Sequence, residues 1–419
     1  MNPSPLKLTP LKLTPPNSQD LLAPSLSAPR RFASLAYISL LLPLVYFLVL
    51  LFLTACSGKE ETEETRNIGP GGSYTMYANG FEVKQLQNFS LVHVFDPWQR
   101  SRNVTFSYLL GEDPGRIPDS LCNLPFITTP VRKVITLSTT HIAMIQALGE
   151  PETIMGISGA DLVYDSTMIK RVLRGEVIDV GYDRTLNYEK IISLQPDVFF
   201  LYGVESRIRE ISDRLADMDI PVVFCGDYLE NHPLGKAEWI RFFSLFYQKE
   251  EEATVQFESI DSSYRVLSEM TARLEEKPLV LTGLPWKDTW YMAGGNSFAA
   301  KLIEDAGGTF LWNDTESSEA VPLDIESVFS RAIRADVWIN PGAARSLEDL
   351  VRFDERFRKL EVVRQGRIYN NNARMNPSGG NDYWESGTVR PDLILADLIK
   401  VFHPELMEDH QFKYYRKLK

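Results

Sequence analysis

Two glutamates stand in matching contexts in the two halves of the chain, and both carboxylates could contact a single charged partner. Glu189 lies in LNYEKIIS (186–193), which precedes PDVFF, and Glu326 lies in LDIESVFS (323–330), which precedes ADVWI after a two-residue longer spacing. In each copy an Asn or Asp opens a helix, and the dipole favours the Glu in its first turn. Helix capping alone explains either Glu. Their duplication further indicates that two similar lobes present both on one rim.

Other reactive side chains do not form a recognisable catalytic or metal site. A bare metal ion requires clustered His, Asp or Glu ligands. No two histidines stand at ligand spacing, although His141 could reach a cleft; the five are His93, His141, His232, His403 and His410. A G-x-S-x-G turn, a phosphate loop and a dinucleotide fingerprint are all missing from the sequence. We therefore predict that the chain is not an enzyme, and we keep a bare-metal binder as an alternative.

The N-terminal segment reads as an export signal that ends in a lipid-attachment site. An apolar run (33–54) follows two arginines and leads into Leu-Thr-Ala-Cys, which ends at Cys56. These features are typical of a secretory signal, although the run is also about long enough to cross a bilayer. Leu-Thr-Ala-Cys resembles the bacterial lipobox, in which the Cys is lipidated. We expect 1–56 to be the signal, Cys56 to hold the membrane anchor, 57–73 to be a flexible tether, and the body to lie in the cell envelope outside the cytoplasm.

Composition fits an exported soluble body. The 419 residues carry a formal net charge of −12, with 44% hydrophobic and 11% aromatic residues. Because 1–56 carries +3, the remainder carries −15, which is the sign opposite to that of most nucleic-acid binders. We expect no nucleic-acid partner and a monomer. Besides Cys56, only Cys122 and Cys225 occur, and they could form a disulfide or stay as buried thiols.

The elements that position these residues form an α/β pattern. Short strand-like runs between turns indicate a small β-rich N-terminal extension over 74–129, of unclear role, for which simple packing on the first lobe is one interpretation. Strands then alternate with helices over 130–248, which predicts a first α/β lobe with a mostly parallel sheet. Apolar residues at helical spacing predict one long connecting helix over 249–277. A second α/β lobe follows over 278–410.

We assign the individual elements from the same patterns. First-lobe strands are expected at 131–137, 154–157, 198–202 and 222–225, with helices at 140–148, 188–193 and 206–218. Second-lobe strands are expected at 279–282, 289–293, 337–340 and 367–369, with helices at 297–305, 325–334 and 391–402.

Five stretches resemble the periplasmic binding proteins of ferric-siderophore, haem and cobalamin importers. They include VRKVITLSTTHIAMIQALGEPETIMGIS and AGGNSFAAKLIEDAGGTFLW, and they occur in the family's order and spacing at 131–158, 178–203, 293–312, 321–342 and 389–406. The resemblance implies a ligand cleft between two lobes, a rigid connecting helix and small closure on ligand. It also implies that Glu189 and Glu326 dock to arginines of an ABC permease dimer, whose ATPase supplies the energy. Exposed ion pairs are weak individually, so this pair should mainly set orientation and association rate.

The resemblance also implies a ligand pocket in the loops that follow the strands. It points to Ser138, Thr140, Tyr182, Arg184 and Tyr202 in the first lobe, and to Trp286, Trp290, Trp312, Arg374, Tyr383, Trp384 and Arg390 in the second. Aromatic faces suit a corrin, porphyrin or catecholate, and arginines suit anionic oxygens. Core packing is the alternative for each aromatic, and shaping a helix start is the alternative for Arg390.

The expected ligand is thus a metal chelate (a ferric siderophore, haem or cobalamin), with no separate cofactor. A surface receptor or adhesin on the same fold is the further alternative.

Overall fold

The computed structural model describes residues 74–182, 185–203 and 208–419. The predictions for the signal sequence, for Cys56, for the tether and for Arg184 lie outside these residues. Within the described part, no helix is long and apolar enough to cross a membrane.

The chain begins with a four-stranded sheet in strand order β1-β2-β3-β4. The strands are β1 (Phe81–Gln85), β2 (Ser90–Phe95), β3 (Thr105–Gly111) and β4 (Phe126–Thr128), and only β3 and β4 pair in parallel. Alternation along β1 buries Phe81 and Val83 on one face, as expected for a half-buried strand. This face packs on the first lobe, where the Phe81 ring lies 4.9 Å from Trp239.

Two buried carboxylates fix the entry of this extension to the first lobe. The Glu238 carboxylate accepts the backbone N–H groups of Met76, Tyr77 and Ala78, each at 2.8 Å. The Glu230 Oε1 atom accepts the backbone N–H groups of Asn79 at 3.0 Å and of Gly80 at 2.8 Å. Five successive amides are therefore satisfied by charge-assisted bonds. The extension is a packed part of the body, as one of our interpretations expected.

The first lobe contains a five-stranded parallel sheet in strand order β7-β6-β5-β8-β9. Every residue of β8 (VFFL) is buried, as both faces of a parallel sheet are covered by helices. Its strands are β5 (Val134–Thr136), β6 (Ile154–Ile157), β7 (Ile178–Asp179), β8 (Val198–Leu201) and β9 (Val222–Phe224). Its helices are α1 (Thr139–Ala147), α2 (Ser166–Leu173), α3 (Tyr188–Leu194), α4 (Ile208–Ala216) and α5 (Pro233–Leu245).

Helix α5 was not predicted from the sequence. His232 caps it, its side chain accepting the Leu234 N–H, and Pro233 occupies the first turn, where a missing N–H does no harm. Twelve of its thirteen residues are buried, and Lys236 is the exception. A helix enclosed on all sides has no apolar stripe, so hydrophobic periodicity does not reveal it.

Helix α6 (Glu250–Ala272) confirms the predicted connecting helix, although it ends five residues earlier. Its buried stripe includes Ala253, Phe257, Ile260 and Tyr264. The Tyr264 hydroxyl donates to Asp305 of the second lobe at 2.7 Å, and Asp261 accepts the Tyr77 hydroxyl of the extension at 2.7 Å. The helix therefore contacts both the extension and the second lobe.

The second lobe has a five-stranded sheet in strand order β12-β10-β14-β15-β16, parallel except for the last pair. Strands β11 and β13 form a separate antiparallel pair, so 289–293 is a strand as predicted but lies outside the main sheet. The strands are β10 (Leu279–Thr282), β11 (Thr289–Met292), β12 (Thr309–Phe310), β13 (Val321–Asp324), β14 (Val337–Ile339), β15 (Ile368–Asn370) and β16 (Arg416–Lys417). The helices are α7 (Phe298–Asp305), α8 (Ile325–Ala332), α9 (Leu347–Phe353), α10 (Glu361–Arg364), α11 (Ser386–Val389) and α12 (Pro391–Phe402).

Candidate functional site

The carboxyl ends of three neighbouring first-lobe strands bring polar side chains together. Ser138 follows β5 and caps α1, and its hydroxyl lies 2.9 Å from the hydroxyl of Thr140. The Thr140 hydroxyl donates to Asp227 at 2.7 Å, and Asp227 follows β9. Tyr202, directly after β8, lies between these two strands in the sheet order. Strand ends of parallel sheets are the usual position of ligand sites.

A buried contact between His141 and Asp227 lies directly beneath this edge. His141 Nε2 lies 3.1 Å from Asp227 Oδ1, and His141 Nδ1 lies 2.9 Å from the Thr136 hydroxyl. Burial would raise the pKa of Asp227, but His141 and the Thr140 hydroxyl outweigh burial and lower it. Asp227 is therefore held as an acceptor, and its partners orient the start of α1.

Two tyrosines continue the same edge. The centre of the Tyr202 ring lies 6.3 Å from that of His141 and 5.3 Å from that of Tyr228, and both pairs are edge-to-face. The Tyr228 hydroxyl donates to the Gly203 carbonyl at 2.9 Å. Burial, followed by the charge of Asp227, raises the pKa of Tyr202, so its hydroxyl stays protonated at neutral pH.

Tyr182 lies elsewhere on the first lobe and is 45% exposed. Its hydroxyl donates to Asp161 at 3.1 Å, and burial followed by that bond raises its pKa to about 12. Its neighbour Arg184 lies outside the described residues.

The second-lobe tryptophans divide into open and buried ones. Trp286, after β10, is 68% exposed, and Trp384, just before α11, is 53% exposed. Trp290 is buried, donates its indole N–H to the Thr282 carbonyl at 3.0 Å and packs 5.9 Å from Trp338. Trp286 and Trp384 are thus free to meet a ligand, whereas core packing accounts for Trp290.

Two further predicted ligand residues are also core residues. Trp312 is buried. Tyr383 is also buried, and the centre of its ring lies 4.7 Å from that of Trp384 and 5.8 Å from that of Tyr415. The resemblance implied ligand contact for both residues, but long-range packing encloses both rings. Our candidate ligand surface therefore omits Trp290, Trp312 and Tyr383.

Both predicted second-lobe arginines already have carboxylate partners. Arg374 Nε lies 2.5 Å from Asp382, and its guanidinium lies 5.0 Å from the centre of the Tyr164 ring in the first lobe. Arg390 precedes α12 and pairs with Asp392 at 2.7 Å. This local pair fits the helix-start interpretation of Arg390.

A short loop of the first lobe is bound by the second lobe. The Glu385 carboxylate accepts the backbone N–H groups of Tyr164 at 2.7 Å and Asp165 at 2.9 Å. The Asn376 amide donates to the Val163 carbonyl at 2.7 Å. Glu385 is 2% exposed, and burial raises its pKa to about 7 despite these two bonds. Glu385 therefore joins the lobes through a carboxyl that titrates near neutrality.

An open cavity of about 620 Å³ borders this contact. Its walls come from both lobes and include Tyr164, Asp165, Ile169, Arg374, Asp382 and Glu385. A second cavity, of about 380 Å³, lies on the extension beside Phe89 and Glu250. Among the predicted ligand residues, Arg374 lines the interlobe cavity.

The two glutamates of the sequence repeat occupy matching positions. Glu189 lies in the first turn of α3, capped by Asn187, and Glu326 lies in the first turn of α8, capped by Asp324. Both are exposed. Glu326 pairs with Arg356 at 3.1 Å, whereas no described residue forms an ion pair with Glu189.

The described residues include two free cysteines and no candidate metal site. Cys122 is exposed and Cys225 is buried, and neither forms a disulfide. Burial raises the pKa of the Cys225 thiol. Across 74–182, 185–203 and 208–419, no three His, Cys, Asp or Glu side chains group in a way that could hold a metal ion.

Sequence reasoning missed Asp227 and Glu385. Both follow signals that were visible: Asp227 stands in a turn after a buried strand, and Glu385 follows Trp384 in a turn-rich segment. Their roles depend on partners 86 to 221 residues away, which no local pattern specifies.

Comparison with known proteins gives a consistent result. The family model for the periplasmic binding protein matches residues 134–374, which is more than half of the chain. An uncharacterized lipoprotein of Methanocaldococcus jannaschii is 28% identical over 306 residues, covering 70% of this chain and 70% of its own. Another uncharacterized lipoprotein of that organism is 28% identical over 333 residues, covering 76% of this chain and 81% of its own.

Two solved structures share the fold. A possible iron-binding, periplasmic solute-binding protein of Staphylococcus epidermidis is 19% identical, with a TM-score of 0.51 over 65% of this chain and 99% of its own. A periplasmic solute binding protein of Veillonella parvula is also 19% identical, with a TM-score of 0.52 over 68% and 84%. At this identity the likeness concerns the fold alone.

Proposed function

This chain belongs to the periplasmic binding protein family, and we propose that it captures a metal chelate and delivers it to an ABC importer. The ligand class is a ferric siderophore, haem or cobalamin. The protein is anchored to a membrane through lipid on Cys56, with its body in the cell envelope.

The observation that carries the ligand class is a set of large aromatic side chains left open to solvent. Tyr182 of the first lobe and Trp286 and Trp384 of the second keep about half or more of their surface exposed. Exposed aromatic rings are typical of sites that bind flat or bulky organic ligands. The name of the Staphylococcus epidermidis protein, possible iron-binding, supports an iron-containing ligand.

Polar groups at the first-lobe edge would add orientation to this apolar contact. Ser138, Thr140 and Tyr202 lie at neighbouring strand ends, and Asp227 holds Thr140 in place. A few fixed polar groups among aromatic walls is the composition expected of a selective small-molecule site.

Delivery would use the two exposed glutamates. Glu189 and Glu326 lie in the first turns of capped helices, and both side chains are exposed to solvent. One negative charge on each lobe could meet a two-fold permease and set the docking orientation.

The lipid anchor draws support from the relatives. Two of them are named lipoproteins, and Leu-Thr-Ala-Cys ends at Cys56 in this chain. Incorporation of labelled palmitate, lost in Cys56→Ala, tests this part of the proposal.

Calorimetric titration tests the ligand class. We expect one-to-one binding when the soluble body that starts after Cys56 is titrated with haem, cobalamin or a ferric siderophore. Absence of binding to all three by folded protein would refute the chelate proposal and favour a bare metal ion or an adhesin-like role.

A further inference from the structure

The loop that joins β2 to β3 in the extension packs beside the edge strand of the first-lobe sheet. Pro97 and Trp98 of this loop are buried. The centre of the Trp98 ring lies 6.0 Å from that of Phe224, the last residue of β9, and a Cβ on Gly226 would lie 3.6 Å from the Cα of Pro97. We call this loop, residues 96–103, the strap.

Hydrogen bonds hold the strap in one shape. The Asp96 N–H donates to the Val104 carbonyl at 2.8 Å, and the Val104 N–H donates to the Asp96 carboxylate at 2.9 Å. The Ser101 hydroxyl donates to the Trp98 carbonyl at 2.5 Å. Because the strap is closed at its base and fixed by a buried tryptophan, it presents the exposed Arg100 in a defined place.

Arg100 reaches from the strap to the second lobe. Its Nε lies 3.5 Å from Oε2 of Glu319, in the segment that follows β12. That segment is fixed to its own lobe, since the Glu319 N–H donates to the Ser317 hydroxyl at 3.0 Å and the Ser317 carbonyl accepts the Asn296 N–H at 3.0 Å. The strap therefore spans from the first lobe to the second.

Covering the edge of β9 is the plain structural role of the extension. The Tyr108 hydroxyl of β3 accepts the Phe224 N–H at 3.0 Å, so an N–H of the edge strand is satisfied. This role explains why the extension packs on the first lobe. It does not explain a contact between Arg100 and the second lobe.

The strap and the Glu385 contact lie at opposite sides of both sheets. In the first lobe, β9 is one edge strand, and the loop 163–165 follows β6, which neighbours the other edge strand. In the second lobe, Glu319 follows the edge strand β12, whereas Glu385 follows β15, which neighbours the opposite edge strand. The two contacts therefore lie at the two ends of the cleft that the lobes form between their strand ends.

These two contacts differ in strength. Glu385 is 2% exposed and accepts two backbone N–H groups of the first lobe, whereas the Arg100 side chain is 85% exposed. An exposed ion pair stabilises little and is screened by salt, but leaving a buried donor or acceptor unpaired is costly. The lobes should therefore separate more readily at the strap than at Glu385.

We infer that the N-terminal extension closes one end of the ligand cleft. The strap holds this end shut while Arg100 pairs with Glu319, and the lobes open here while the contact at Glu385 acts as the pivot. This role goes beyond the proposed function, because it requires two lobes around a cleft but no particular ligand.

Distances between spin labels test this in the full-length chain in detergent, without ligand. Cys56→Ser and Cys122→Ser leave only the buried Cys225, so the label attaches to cysteines introduced at exposed positions. One pair of labels spans the strap contact and a second pair spans the Glu385 contact: Gln99→Cys with Ser318→Cys, and Leu162→Cys with Ser378→Cys.

Three variants are compared in each labelled protein. Arg100→Glu turns the attraction to Glu319 into a repulsion, and Arg100→Glu with Glu319→Arg restores an ion pair with exchanged charges. Arg102 is exposed on the same strap, so Arg102→Glu makes the same change of charge without removing the pair. Melting temperatures check folding, and Glu319→Gln removes the pair from the other lobe if Arg100→Glu does not fold.

We expect Arg100→Glu to raise the population with a longer distance across the strap by about threefold or more, and the exchanged pair to reverse this rise. Arg102→Glu should leave the strap distances unchanged, and the labels across the Glu385 contact should keep one distance in every variant. Unchanged strap distances in folded Arg100→Glu would overturn the inference, as would an equal change in Arg102→Glu or a lengthening across the Glu385 contact instead. Each of these results leaves the proposed function standing, because chelate binding is tested separately by calorimetry.

Discussion

In the first lobe the side chains at the strand ends are hydrogen-bonded to one another, whereas two tryptophans of the second lobe are open to solvent. Thr140 and His141 are joined to Asp227 by contacts of 2.7 and 3.1 Å. Trp286 and Trp384, in contrast, keep more than half of their surface in solvent. The first-lobe strand ends are held by buried polar bonds, and the second lobe offers exposed apolar area.

This difference divides the work of recognition between the lobes. A satisfied buried network is rigid before the ligand arrives, so it can present polar groups without an ordering cost. Open indole rings lose few rotamers on contact and tolerate ligands of different shape. Changes in the first lobe should therefore act mainly on stability, and changes at the second-lobe tryptophans mainly on affinity.

The largest effect is expected when the hydrogen-bond network of the first lobe is broken. Asp227→Ala leaves His141 and Thr140 without their buried acceptor and should lower the free energy of unfolding by about 3 to 5 kcal/mol. Urea denaturation followed by circular dichroism measures this. Trp286→Ala is the control and should change stability by no more than about 0.5 kcal/mol. If both changes lowered the free energy of unfolding by a similarly small amount, the proposed difference between the lobes would be wrong.

The next effect concerns the bond between the lobes. Because burial raises the pKa of Glu385 to about 7 from 4.5, the folded protein binds a proton that the unfolded chain releases. The stability from this proton is full below about pH 4.5 and is lost as the pH rises through about 7. Between pH 5 and 8 this should remove about 2 to 3 kcal/mol from the free energy of unfolding.

Glu385→Gln tests that assignment, since it cannot titrate. Unfolding free energies measured from pH 5 to pH 8 should fall less steeply for this variant than for wild type. Asp165, Asp382, Arg374 and Lys413 also line this region and remain in both proteins, so the difference between the curves isolates Glu385. Parallel curves would show that Glu385 keeps an ordinary pKa.

A third change tests whether an exposed tryptophan of the second lobe contacts the ligand. Trp384→Ala should weaken chelate binding by about tenfold to a hundredfold through lost aromatic contact, with little change in melting temperature. Tyr291→Ala, which removes another exposed aromatic ring on β11, should leave affinity unchanged. Calorimetric titration of both variants distinguishes ligand contact from a general loss of aromatic surface.

The smallest effect on the isolated protein is expected at the docking glutamates. Glu189→Lys with Glu326→Lys should abolish chelate uptake by cells while affinity stays the same, because both side chains are exposed on capped helices. Arg356→Ala, which frees Glu326 from its exposed ion pair, should alter stability by no more than about 0.5 kcal/mol. Normal uptake by the double variant would refute the docking role.

Short apolar runs predicted most strands of both lobes, which are buried on both faces, and apolar residues at helical spacing predicted most of the helices. The α3 and α8 starts were predicted together with Glu189 and Glu326, since Asn187 and Asp324 are local caps. Helix α5 escaped notice for the opposite reason: its surroundings bury every side except that of Lys236, so it has no polar face.

The site was only partly predictable for a related reason. Turn residues such as Trp384 and Tyr383 look alike in sequence, yet one ring is open and its neighbour is enclosed by Tyr414 and Tyr415. Partners such as Glu385 and Tyr164 lie 221 residues apart, so only the folded chain brings them together.

The structure of the loaded protein tests the account most directly. Crystals grown with the chelate that binds best in calorimetry should show it between the lobes, with Tyr202 of the first lobe and Trp384 of the second within contact distance, about 4 Å. A chelate bound on one lobe alone, or in the cavity beside Phe89 on the extension, would contradict the division of recognition between the two lobes.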